Sequence, residues 1–235
     1  AGSAARMRIA SSISSTKRKT PWMLISFEIA GARLIGRPSS GTMPICTTMP
    51  RRRAERNACE IAGAAPIRYI VNTHHHWDHL GGLRAYVHEG ATVVTHEGNR
   101  PYYQEVLRAR PWLLEPDRFS LYPPEEWSEG YIFETVREKF ILGDETRLVE
   151  LHHVQGLNHV AGMLIAYFPD EKFVVEADLY TPPPTGGQSP GAPSASNRTF
   201  YENLQRLRLD VETIVPIHGR PSPMSAFVEF VNRTQ

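Results

Sequence analysis

The run His74-His75-His76-Trp77-Asp78-His79 places four imidazoles and a carboxylate within six positions. It stands directly after the apolar segment IRYIVNT (67–73) and before Leu80-Gly81-Gly82. Imidazole and carboxylate are the donors that suit zinc and related divalent ions. A loop leaving the C-terminal end of a strand can converge several of them on one point. On an extended strand end His74 and His76 point to one side and His75 to the other. The cluster is interior and interrupted by an aspartate, unlike a contiguous terminal histidine tag. It reads as a metal-binding turn.

The 235 residues fit one large domain or two small ones. Hydrophobic residues at 41%, with 17 glycines, exclude disorder throughout. The longest apolar stretch, from Pro21 to Gly36, is broken by Glu28 and Arg33 and is too short and too charged for a membrane span. It also lacks the form of a signal peptide, which leaves the cytoplasm as the default expectation. Cys46 and Cys59 form neither a disulfide framework nor a zinc knuckle. Charge divides the chain: residues 1–56 hold 11 Lys/Arg against 2 Asp/Glu, and the remainder 15 against 23. The basic part has only Trp22 and Phe27 as aromatics, so nucleic-acid binding is disfavoured. Residues 1–65 are expected to be an atypical basic segment, divergent or partly disordered, and 66–235 the folded domain. A shifted reading frame that rejoins near Ala65-Pro66 is one account of the change in composition, which the nucleotide sequence would decide.

From Pro66 onward short strands and helices alternate. Strands are expected at Ile67 to Thr73 and Ala91 to His96, with a short helix from Gly82 to Gly90 between them. A second helix is expected from Arg100 to Arg110, followed by a Pro- and Glu-rich connection from Pro111 to Gly130. Hairpins are expected around Gly143-Asp144 and Pro169-Asp170, and a loop over 181–198. The chain then closes with a helix from Thr199 to Leu207, a strand from Thr213 to Ile217 and a helix from Met224 to Val231. Mixed strand pairing with intervening helices gives an α/β sandwich.

Three downstream residues at strand ends or turns fit the same site: His159 in QGLNHVAG, Asp178 in FVVEADLY and His218 in IVPIHGR. With the turn they make the order HxHxDH, H, D, H. On these motifs the chain resembles metallo-β-lactamase-superfamily hydrolases over roughly residues 66–220. The resemblance implies a four-layered αβ/βα sandwich with two mixed sheets and metals at one edge between them. It also implies that His74, His76 and His159 hold one metal, that Asp78, His79 and His218 hold a second, and that Asp178 bridges the two.

Two divalent ions about 3.5 to 4 Å apart lower the pKa of a shared water and make hydroxide available near neutral pH. The resemblance thus implies a hydrolase whose nucleophile is a metal-bridging hydroxide. Zinc is the expected ion, with iron, manganese and cobalt as alternatives. Asp78 is expected to act twice, as ligand and as an acceptor that orients the water. Tyr180, two residues past Asp178, either donates a proton or hydrogen bond to the oxyanion or packs. Trp77 is expected to pack within its loop or to line the cleft. His75, His88, His96, His152 and His153 are expected to be structural. Neither glycine pair, Gly81-Gly82 nor Gly186-Gly187, has the context of a phosphate loop, so no nucleotide cofactor is implied.

Fold and metal site are shared among many activities in this superfamily, so substrate class comes from departures. The β-lactamases of this superfamily usually carry Cys or Ser where Asp178 stands, which leaves amide hydrolysis of that kind as a minor activity. Only 17 residues follow His218, against the glutathione-binding region of glyoxalase II. Diiron flavoproteins carry a glutamate where His76 stands, together with a flavodoxin-like domain. A small-molecule ester, lactone, thioester or amide is the expected substrate, with no membrane partner. Phosphodiester cleavage and a non-catalytic metal-binding role are the alternatives.

Overall fold

The computed structural model describes residues 24–27, 67–80, 82–88, 90–108, 118–121, 133–143, 147–183 and 191–233. Most of the atypical segment 1–65 therefore lies outside the described residues, as do the turn of the first hairpin and the centre of the 181–198 loop. The chain divides into two compact units, Ala1–Val94 with Tyr102–Glu134 and Thr95–Pro101 with Thr135–Gln235. No helix among the described residues is long and apolar enough to cross a membrane.

The chain from the N-terminus to residue 121 forms β1 (Leu24–Phe27), β2 (Ile67–Val71) and β3 (Thr92–His96), with α1 (Leu83–His88), α2 (Arg100–Arg108) and α3 (Arg118–Leu121). These strands and β4 (Phe133–Val136) form a sheet in the order β1-β2-β3-β4. β2 and β3 run parallel, with Ile70 opposite Val93 and Val71 opposite Val94. A parallel pair needs a crossover, and α1 supplies it. Leu83, Tyr86 and Val87 recur at helical spacing and bury against Ile70, Val93, Tyr103 and Leu107. Arg84, between them, donates to the carbonyls of Val106 (3.1 Å) and Leu107 (2.6 Å), satisfying acceptors that the end of α2 leaves open. β1 was not expected from the sequence; it pairs parallel with β2. α3 falls inside the stretch read as a connection.

The second unit holds a six-stranded sheet in the order β10-β9-β8-β7-β6-β5. Both expected hairpins are present: β5 (Lys139–Gly143) with β6 (Leu148–His153), and β7 (Leu164–Phe168) with β8 (Phe173–Glu176). β7 and β8 are buried at every position and apolar at all but Glu176, so they show no alternation. The pairing of β8 with β9 (Thr213–Pro216) is parallel, across α4 (Ala195–Leu207). β10 (Ser222–Pro223) turns back on β9 and leads into α5 (Met224–Val231). The core joins Val154, Met163, Ile165, Phe200, Leu204, Ile214 and Phe227. α4 starts four residues earlier than the sequence reading because Ser194 and Asn197 form a capping box: Ser194 Oγ accepts from the Asn197 N–H (3.1 Å), and Asn197 Oδ1 from the Ser194 N–H (2.7 Å). The capping residues hid inside a Pro/Gly/Ser stretch.

Candidate metal centre

Each unit carries its own group of metal-ligating side chains. In the first, β2 stops at Val71, short of the expected Thr73, and the histidines sit on a loop that closes as a 3-10 turn over Trp77–His79. His74 and His76 still converge: His74 Nε2 lies 3.0 Å from His76 Nδ1, and the rings meet edge to face at 4.5 Å. The Thr73 hydroxyl is 3.1 Å from His74 Nδ1 and fixes that ring from behind. His79 is fully buried, its ring 4.4 Å from His74 and its Nε2 3.6 Å from Asp78 Oδ2. Asp78 lies inside the turn. His75 faces Tyr102 at 5.0 Å, apart from the His74 and His79 pair. Trp77 is 85% exposed, which overturns the expectation that it packs within the loop.

The turn is held from below by residues that the sequence reading passed over. Buried Asn72 donates its side-chain amide to the His79 carbonyl (2.6 Å) and its backbone N–H to Val94 O (3.0 Å). Buried Tyr103 of α2 donates its hydroxyl to Asn72 Oδ1. An asparagine at the end of an apolar strand is a group that must find partners when buried, and that was the available signal.

In the second unit Asp178 stands between two imidazoles. Its Oδ2 is 3.2 Å from His159 Nε2 and its Oδ1 3.3 Å from His218 Nε2. Asp178 occupies the left-handed region at φ 61°, a conformation that Asp tolerates better than most residues and that clusters at functional sites. Glu176 braces this bend: its Oε2 accepts from the N–H groups of Leu179 (2.8 Å) and Tyr180 (3.3 Å). Glu176 is fully buried, and its Oε1 has no hydrogen-bond partner. Burial pushes its carboxyl up to about 8, the Asp178 charge adds to the rise, and the two N–H donors pull partly back.

The loop carrying His159 is pinned to α4. Asn203 accepts from the Gln155 N–H (2.9 Å) and donates to the Gln155 carbonyl (2.9 Å), while Arg206 donates to Asn203 Oδ1 (2.8 Å) and to His153 O (3.1 Å). After His218 the chain turns through Gly219 at φ 142°, where an added Cβ would meet Pro182 Cδ at 3.2 Å. Tyr180 is buried with its ring 4.5 Å from Phe227, so it packs against α5. His152 pairs with Glu150 (2.9 Å) and His153 lies against His96 (4.2 Å). Burial holds both His152 and His153 below the usual imidazole range.

The family model of the metallo-β-lactamase superfamily matches residues 58–218. The chain belongs to this superfamily. A metallo-β-lactamase from Pontibacter korlensis is 20% identical, with TM-score 0.50, over 74% of this chain and 72% of that one. The flavodiiron protein of Giardia intestinalis is 16% identical, with TM-score 0.50, over 75% of this chain and 45% of that one. The chain spans 43% of the rubredoxin oxygen:oxidoreductase of Desulfovibrio gigas, at 16% identity over 70% of this chain and TM-score 0.49. The Pontibacter and Giardia likenesses show the metallo-β-lactamase fold, the α/β class with two sheets that the resemblance implied, and leave the reaction open. No curated protein gives a significant match. The superfamily fold generally holds a dinuclear metal site, and the His and Asp groups of this chain fit one.

Proposed function

We propose that this chain is a dinuclear metal-dependent hydrolase of a small ester, lactone, thioester or amide. The observation that supports this most is the Asp178 carboxylate, with one oxygen toward His159 and the other toward His218. A carboxylate that presents its two oxygens to two different imidazoles has the form of a bridging ligand. In the scheme that the family implies, His74, His76 and His159 hold one ion, Asp78, His79 and His218 the other, and Asp178 both. Each of the seven offers one imidazole nitrogen or carboxylate oxygen, donors that zinc, iron and manganese accept. Bound ions supply Lewis acidity and lower the pKa of water.

The chain's own residues do the rest. Asp78, 29% exposed at its side chain, accepts a hydrogen bond from the attacking water and orients it. Asn72 and Tyr103 hold the histidine turn, and Glu176 holds the bend at Asp178, so that the donors need little reorganisation. Hydrolysis is favoured over oxygen chemistry by the imidazole at His76, where diiron flavoproteins carry a glutamate.

The test joins metal analysis to turnover. Protein reconstituted with excess zinc is expected to hold about two ions per chain and to cleave at least one member of a panel of lactones, thioesters, β-lactams and phosphodiesters. Stoichiometric metal with no turnover on any of them overturns the hydrolase reading in favour of a metal-binding protein. Oxygen consumption with a reductant in place of hydrolysis would make it an oxidoreductase.

A further inference from the structure

The second unit contains a cavity of about 470 Å³ whose walls include Tyr180, Pro182, Pro183, Arg220, Pro221 and Phe230. Its two ends of chain are those that leave the candidate metal ligands: Tyr180 follows Asp178 by two residues and Arg220 follows His218 by two. Prolines and aromatics form a stiff apolar part of the wall, since proline has one backbone torsion fixed, and polar side chains form nearly as much of it. The polar part comprises Arg220, Tyr180, Ser222, Glu229 and Arg233. Arg220 donates through one guanidinium nitrogen to the Pro183 carbonyl (2.9 Å) and makes no ion pair among the described residues. Arg220 is itself exposed, and that one bond ties its fork to the wall while leaving most of its five N–H donors available. Tyr180 is 4% exposed, and its hydroxyl has no hydrogen-bond partner among the described residues. The other charges on the wall, Arg233 and Glu229, face each other at 3.4 Å and offset one another.

We infer that this cavity is the recognition subsite for a carboxylate carried on an apolar group of the substrate, with Arg220 as its anchor. A guanidinium with no carboxylate partner among the described residues matches a carboxylate through two parallel N–H donors, and the phenol adds a third. The apolar body of the ligand lies against Phe230 and the prolines. This inference rests on the hydrolase reading for the word substrate, and on the cavity alone for binding.

The experiment uses phenylacetate and its neutral analogue phenylacetamide as probes, with binding followed by NMR titration. It is run on the protein as purified and after chelator treatment, because a carboxylate can also bind a metal. The acid is expected to bind at least about tenfold more tightly than the amide in both preparations. Arg220→Gln, which keeps a donor for Pro183 O but removes the charge, is expected to abolish that preference. Arg220→Lys restores it only in part, because a point charge cannot make the two-donor contact. Equal binding of acid and amide, a preference that survives Arg220→Gln, or one seen only with metal present each overturns the assignment. A protein that hydrolyses nothing but keeps the Arg220-dependent preference loses the hydrolase reading and retains the subsite; turnover without that preference does the reverse.

Discussion

Replacing Glu176 by Gln tests the bracing of the Asp178 bend, and its signature is a change of sign with pH. An unfolded glutamate titrates near 4.5, whereas burial raises the folded group to about 8. Between these values the unfolded state has released its proton and the folded state has kept it, so stability falls as pH rises. The slope approaches about 1.4 kcal/mol per pH unit, and the whole window amounts to roughly 3–5 kcal/mol as an upper figure. Glutamine keeps one oxygen for the Leu179 and Tyr180 N–H groups but places an amide where Oε1 has no partner. That costs about 1–3 kcal/mol at every pH. In metal-free protein, urea unfolding is therefore expected to find Glu176→Gln less stable than wild type at pH 5 and more stable at pH 8.5. Histidine titrations are common to both proteins and cancel in the difference, including those of His152 and His153, whose depressed values cost stability only at low pH. A wild-type minus variant difference that stays constant from pH 5 to 8.5 would refute the reasoning, because it would mean that Glu176 ionises as an ordinary carboxylate.

Tyr103→Phe removes the donor to Asn72 Oδ1 and is expected to cost about 1–2 kcal/mol, with faster amide exchange at His79 and Leu80 in hydrogen-exchange measurements. Asn203→Ala leaves the Gln155 N–H and carbonyl without their side-chain partner; a loss of about 2–3 kcal/mol is expected, with exchange rising over 155–163 and weaker zinc uptake through His159. Gly219→Ala forces a Cβ at 3.2 Å from Pro182 Cδ and a φ of 142° on alanine, so calorimetry should show a drop of about 1–3 kcal/mol. Combined His76→Ala and Asp178→Ala is expected to abolish zinc loading measured by elemental analysis; full loading would remove the basis of the proposed centre.

The histidine turn was legible because its ligands are adjacent in sequence and their chemistry is concentrated. His159, Asp178 and His218 became legible only as a set, since each alone is an ordinary polar residue at a strand end. The residues that hold them were harder to see. Tyr103 and Asn72 meet across 31 positions, and Gln155 and Asn203 across 48. Such partners are chosen by the folded backbone, which buries one polar group and requires another to answer it. Local periodicity carries no trace of that demand, which is why the sequence pattern places the start of α4 at Thr199 and gives no sign of β4. Glu176 is the instructive exception. A glutamate closing the run Phe173-Val174-Val175, which is buried throughout, breaks the apolar pattern of an interior strand and has to be explained by something nearby. The explanation lies in the next four residues, where the chain must bend through a left-handed aspartate and leaves the N–H groups of Leu179 and Tyr180 facing inward. A buried acid at the end of an interior strand, followed at once by a ligand-type aspartate, is therefore a local sign that the backbone there has been shaped to present that aspartate.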